Sequence, residues 1–240
     1  MCYVTKAKRS DTQAQEIEND KEFWDSSRHL DEIALLLNSL DGVSCIPYFS
    51  TSYNLPDMPI GMFGGSGGGS PVYDIFGYRS SKLSEAMKDD INNLIDAFCK
   101  LSLNDKARIG RILSCLSQAK RRNQIEDKIF DLGIAIEMAL LEDNKNNDQL
   151  SLSFRLRGSW LIGKEKKERQ NIYRQLRDIY NFYNYRSQVA HSGILCGNDP
   201  AKINIVREHF QEYSLLAEKI IRHLILNGHP NWTELILAAI

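Results

Sequence analysis

Past residue 80 the apolar positions recur three and four apart with little interruption, the spacing of one buried helix face. Ile91, Leu94, Ile95 and Phe98 predict a helix over about Ser84 to Leu101. Ile109, Ile112, Leu113 and Leu116 predict a second, with Asn104-Asp105 as its cap. A third covers about Ile125 to Leu141, with Ile129, Leu132, Ile136 and Leu140 inward, before the polar break EDNKNNDQ. A fourth, about Leu150 to Ile162, presents Leu152, Leu156, Trp160 and Leu161 and stops at Gly163. The fifth runs from about Lys166 to Ala190 on a core face of Ile172, Leu176, Ile179 and Tyr183, with Gly193 placed to end it. Asp199-Pro200 is a cap followed by proline at the first helical position, so a sixth helix starts there and reaches Asn227-Gly228. A short helix, about Trp232 to Ala239, closes the series. No alternating pattern of strand length competes past residue 84, so the fold class is all-α, a helical bundle.

The first part of the chain reads differently. One helix is expected over about Asp20 to Leu40, with Phe23, Trp24, Ile33, Leu36 and Leu37 as its apolar face and Asp41-Gly42 as its stop. A stretch with three prolines follows, CIPYFSTSYNLPDMPIGMF. Then comes GGSGGGS, Gly64 to Ser70, which has the composition of a laboratory linker and is expected to be a flexible tether. Residues 1–80 are therefore an accessory N-terminal segment, and 81–240 the helical domain.

Composition adds bounds. The 240 residues are 42% hydrophobic and 25% charged, too apolar for a mostly disordered chain and enough for a core without disulfides. A net charge of −1 excludes coating nucleic acid by bulk positive field, though not a local basic face. No apolar run is long enough to span a bilayer and the N-terminus lacks a signal-peptide core, so a cytoplasmic protein with no membrane partner is expected. The five cysteines (Cys2, Cys45, Cys99, Cys115, Cys196) are odd in number and without a CxxC pair, which predicts reduced thiols and no metal site. No cofactor is expected, since the phosphate-loop, dinucleotide, zinc-protease and nucleophile-elbow motifs are all missing.

The dense polar cluster that remains is YNFYNYRSQVAHSG on the fifth helix. Arg186 and His191 lie five positions apart, about 140° around an ideal helix. They share a face only if the helix loosens near Gly193 or if a two-fold dimer brings two copies together. A guanidinium matches phosphate oxygens as a fork, and an imidazole moves protons near neutrality. Together they suit RNA cleavage by the 2′-hydroxyl without a metal. The bland alternative is a capping histidine and a salt-bridging arginine.

The RSQVAHSG segment resembles the R-x4–6-H motif of HEPN domains, helical ribonucleases of toxins and antiviral systems, and is most similar to the ApeA-like anti-phage branch. The upstream segments ARIGRILSCLSQAKRRNQIEDKIFDLGIAIEMALL and LSFRLRGSWLIG resemble that branch in order and spacing, so the likeness covers about Asp90 to Leu226. Two positions depart from the family pattern. Ser187 follows the arginine where many members carry Asn, His or Asp, and Ser192 separates His191 from Gly193. Residues 1–80 match nothing in the family.

The resemblance implies an HEPN-type bundle acting as a homodimer on RNA, with tRNA as one candidate, in abortive-infection defence set off by a phage-derived trigger or regulatory partner. It implies Arg186 and His191 as the catalytic pair. Glu137, mid-helix in the apolar run GIAIEMALL, is the next catalytic candidate, because a carboxylate there needs a partner such as Arg186 or Arg157. Arg157 and Ser187 are substrate-binding candidates. Tyr185 and Tyr183 can stack bases or serve the core. From Leu150 to His191 nine Lys/Arg face three acids, an excess of six that the rest of the chain offsets. Lys120-Arg121-Arg122 forms a second basic patch able to frame RNA. The rival readings are a non-catalytic helical dimerisation or RNA-binding module and a nucleotide-binding regulator.

Overall fold

The structure is a computed structural model, and it describes residues 21, 28–45, 49–51, 67–69, 83–141, 149–192 and 199–237, with the side chains of 49–51, 67–69 and 185–192 outside that description. Phe23, Trp24, Cys2, Cys196 and Gly193 lie outside the described residues.

The described chain is an all-α bundle. Helix α1 covers residues 28–37, α2 Lys88–Lys100, α3 Leu103–Arg121, α4 Ile125–Leu141, α5 Leu150–Ile162, α6 Lys166–Ser192, α7 Pro200–Asn227 and α8 Trp232–Leu237. Their ends follow local chemistry. Asp199 caps α7 by accepting from the Ala201 N–H, with Pro200 in the first turn, and Gly228 ends it at φ 75°. The cap of α3 is Ser102 rather than Asn104-Asp105: its hydroxyl accepts from the Asp105 N–H and donates to the Asp105 carboxylate, so cap and third residue satisfy each other.

Helix α4 sits at the centre and packs against α3, α5, α6 and α7. Ile129, Leu132, Ile136 and Leu140 are fully buried, as the spacing predicts. The inward face of α5 differs from expectation. Phe154, Gly158 and Leu161 are buried, while Leu152, Leu156 and Trp160 are half-buried. Apolar residues surround α5 on all sides, so periodicity does not select a face. Gly158 marks the closest approach: a Cβ there would lie 2.5 Å from the Leu176 Cδ1 and 3.1 Å from the Leu140 Cδ1, so both leucine ends would have to move for a larger residue.

The N-terminal residues share this core. Leu36, Leu37, Leu40 and Val43 belong to the same hydrophobic cluster as α3, α4 and α7, so among the described residues no second core begins before residue 80. Phe49–Thr51 and Gly67–Gly69 pair as two antiparallel three-residue strands, so the middle of the Gly/Ser run is hydrogen-bonded backbone rather than a free tether.

A buried ion pair fastens the early segment to the bundle. Lys120 Nζ of α3 lies 2.9 Å from Glu218 Oε1 of α7, with side chains only 8% and 1% exposed. The ammonium also donates to the Asn38 and Val43 carbonyls, and Glu218 accepts from the Gly42 N–H and the Ser214 hydroxyl. Asn38 completes the seam by donating to the Ala34 and Cys45 carbonyls and accepting from the Cys45 N–H. Burial lowers the Lys120 pKa and raises that of Glu218, against their mutual attraction. For each partner, therefore, desolvation opposes the charged form at neutral pH.

Replacing one partner strands the other's charge in the interior, so Lys120→Met or Glu218→Leu alone costs about 3–5 kcal/mol. The double replacement removes the stranded charge but still orphans the Gly42 N–H and the Asn38 and Val43 carbonyls. It is expected to destabilise, by less than the sum of the singles; a double-mutant cycle in urea reads the difference directly.

Candidate functional site

The face of α4 that meets α6 carries Phe130, Gly133 and Glu137 at helical spacing. Gly133 permits the approach, because a Cβ there would lie 2.7 Å from Tyr183. Tyr183 therefore lies across the glycine, stacks on Phe130 with ring centres 5.9 Å apart, and donates its phenol hydrogen to Glu137 Oε2. Tyr180 meets Tyr183 at 6.0 Å and Phe154 at 5.2 Å, closing an aromatic layer over α4. Burial, reinforced by the Glu137 carboxylate and opposed by Arg155, pushes the Tyr180 phenol above its ordinary pKa.

Leu140 and Leu176 converge at Gly158, whereas Gly133 lies against Tyr183. Seven residues backward on α4 match seven residues forward on α6, so the two helices run antiparallel. The α6 backbone through Arg186, Ser187 and His191 thus advances toward the N-terminal end of α4. Arg186 stands three residues, one helical turn, beyond Tyr183. The side chains of Tyr185, Arg186, Ser187 and His191 lie outside the described residues.

For Glu137, the partner is a tyrosine. Among the described residues its carboxylate is bonded by Tyr183 and not by Arg157. Arg157 Nη1 instead donates to the Leu140 carbonyl at 2.6 Å, satisfying an orphan acceptor in the last turn of α4, and its guanidinium lies 4.9 Å from the centre of the Trp232 ring. The sequence offered no sign of this: a Tyr–Glu contact 46 residues apart depends on helix register alone. The same reasoning overlooked Glu126, a half-buried acid in the first turn of α4. It falls on the stripe of Phe130, Gly133 and Glu137, at the end toward which the motif-bearing part of α6 runs.

The expected basic surfaces are partly spent on structure. Within Lys120-Arg121-Arg122, Lys120 belongs to the buried pair, and Arg122, itself exposed, donates to Asp131 at 2.8 Å. Arg169 lies over Trp160 at 3.8 Å and donates to the Gly163 carbonyl, and Arg155 lies over Tyr173 at 5.0 Å. Lys164, Lys166, Lys167, Arg174 and Arg177 remain exposed.

No family model, curated protein or solved structure matches the chain.

Among the described residues no three His, Cys, Asp or Glu side chains converge as metal ligands, and no helix is long and apolar enough to cross a membrane. The described cysteines Cys45, Cys99 and Cys115 are free thiols, and burial pushes the Cys45 and Cys115 pKa values up, away from thiolate chemistry. The arrangement can therefore supply a carboxylate fixed by a phenol, the tyrosine standing one helical turn along α6 from the position of Arg186.

Gly133→Ala is expected to drive Tyr183 off Phe130 and Glu137 and to cost about 1–3 kcal/mol in thermal or urea unfolding. Tyr183→Phe keeps the packing and removes only the donor; leaving a half-buried carboxylate oxygen unsatisfied costs about 1–3 kcal/mol. Equal stability of Tyr183→Phe and the parent chain would show that this hydrogen bond does not matter.

Proposed function

We propose that the chain is a metal-independent endoribonuclease of HEPN type, acting as a homodimer on RNA in the cytoplasm. The observation that supports it most is the antiparallel pairing of α4 and α6. By that pairing the α6 backbone through Arg186 and His191 runs toward the N-terminal end of α4, whose α6-facing side carries Glu137 and Glu126. Arg186 holds the scissile phosphate and offsets its growing charge. His191 moves the proton between the 2′-hydroxyl and the leaving 5′-oxygen. Glu137, held by Tyr183, is the acid proposed to orient the guanidinium, and Ser187 serves substrate beside it; Arg157, engaged on the Leu140 carbonyl, keeps to the other end of α4. The products are a 2′,3′-cyclic phosphate or 3′-phosphate and a 5′-hydroxyl.

The exposed side of α6 agrees with a phosphate backbone running toward the motif. Lys167, Gln170, Asn171, Arg174, Asn181 and Asn184 are exposed there, cations and amides that contact phosphate and sugar without reading sequence. The biological role we infer is anti-phage abortive infection through cleavage of cellular RNA, tRNA being the first substrate to test; it rests on family analogy.

Arg186→Ala and His191→Ala are each expected to lower cleavage by about 100-fold or more with unfolding midpoints unchanged, the usual scale for losing an acid–base or charge-stabilising group. An RNA with one 2′-deoxy position at the cut site is expected to resist cleavage. Cutting by both variants at the parent rate would remove the proposed site. RNA binding without turnover by the parent chain would make it a binding module. Glu137→Gln and Glu126→Gln, compared side by side, identify which α4 acid the reaction uses.

A further inference from the structure

Residues 40–44 stand between two clefts. One, of about 380 Å³, is lined by Gly42, Val43 and Ser44 together with the start of α4 and the middle of α7. The other, of about 520 Å³, is lined by Leu40 and Asp41 together with the first turns of α2 and with Arg222 and Leu226 of α7. Between the clefts the turn covers the Lys120–Glu218 pair.

The turn is held differently at its base and at its tip. At the base, Asn38 donates to the Cys45 carbonyl and accepts from the Cys45 N–H, while Leu36, Leu37 and Leu40 are sunk in the shared core. In the tip, residues 41–44, only Val43 buries an apolar side chain, and Asp41 and Gly42 are exposed. Polar bonds hold it down: the Gly42 N–H donates to Glu218 at 2.9 Å, Lys120 donates to the Val43 carbonyl, and Asp41 pairs with Arg222 at 3.0 Å.

Each of these bonds has a substitute once the tip lifts. Water takes the freed N–H and carbonyl, and an ion pair at the surface contributes little. Lys120 and Glu218 keep one another, because they stand on α3 and α7 and not on the turn. Burial disfavours the charged form of both, so hydration of the uncovered pair offsets part of what the lost bonds cost. The core leucines stay where they are, since they precede the tip.

We infer that residues 41–44 are a strap, which lifts from the seam of α3 and α7 while α1 and the bundle stay folded. Lifting it uncovers the Lys120–Glu218 pair and joins the two clefts into one trench along α7. The device uses no residue of the ribonuclease reading, so either stands without the other.

Native-state hydrogen exchange on the full chain, read amide by amide by NMR in urea below the unfolding transition, tests the strap. The Gly42 amide reports on the tip through its bond to Glu218, and the amide of Leu116, fully buried in α3, reports on the bundle. Local openings expose little surface, so the expected urea slope of Gly42 exchange is no more than about a quarter of that for Leu116. Val43→Ala removes most of the one apolar anchor of the tip and is expected to speed Gly42 exchange about tenfold. Ile129→Val, a change in the core of α4, is expected to lower the urea midpoint of the whole chain and leave Gly42 exchange at the parent rate. Equal urea slopes for Gly42 and Leu116 would overturn the strap, since the tip would then open only with the bundle. So would a Gly42 rate that ignores Val43→Ala, or one that rises with Ile129→Val.

Discussion

From Ile129 onward helix α4 is mostly apolar around its circumference, and none of its residues there is exposed. Four helices enclose it. The enclosure dictates where polar groups can enter, because each polar side chain on α4 must find a partner on a neighbour. Asp131 finds Arg122, and Glu137 finds Tyr183. The second of these needs Gly133, since a side chain there would hold α6 too far away for the phenol to lie across α4. A packing requirement at one glycine thus sets the position of the acid proposed to serve the reaction.

The early segment illustrates a different economy. Its leucines Leu36, Leu37 and Leu40 and Val43 are buried in the shared core, and a lysine and a glutamate buried between α3 and α7 fix how its last turn sits. Such a pair adds little net stability because desolvation offsets attraction. It does specify geometry, since the ammonium is aimed at two carbonyls of one turn and the carboxylate at the N–H of another residue in it. The turn therefore docks in one register, and in docking it builds one wall of a cleft of about 380 Å³. Accessory segment and bundle are joined by apolar burial, and the directional contact sets the register.

Helix existence, most helix ends and most inward positions were legible in the chain, because caps, glycines and three-to-four spacing are local signals. The bounds of α4 and α5 match expectation, and Asp199, Pro200 and Gly228 mark α7 in both readings. Where periodicity was weak, the reading slipped. In α5 the buried face followed Gly158 and not the larger apolar residues. Two basic residues are engaged in a way spacing does not show: Lys120, buried on a glutamate, and Arg122, held by an aspartate, look in one dimension like an open patch.

The sequence by itself determined an all-α chain, a polar Arg–His motif late in its fifth predicted helix and a lone glutamate within an apolar helix, since each is a matter of residue type and spacing. The tertiary structure decided that this glutamate answers to Tyr183, that Arg157 serves the end of α4 and that a cleft opens where residues 42–44 meet α7. Those outcomes depend on which helix faces meet and at what register. That is settled by close packing at glycines and by buried charge, interactions between residues that lie tens of positions apart along the chain.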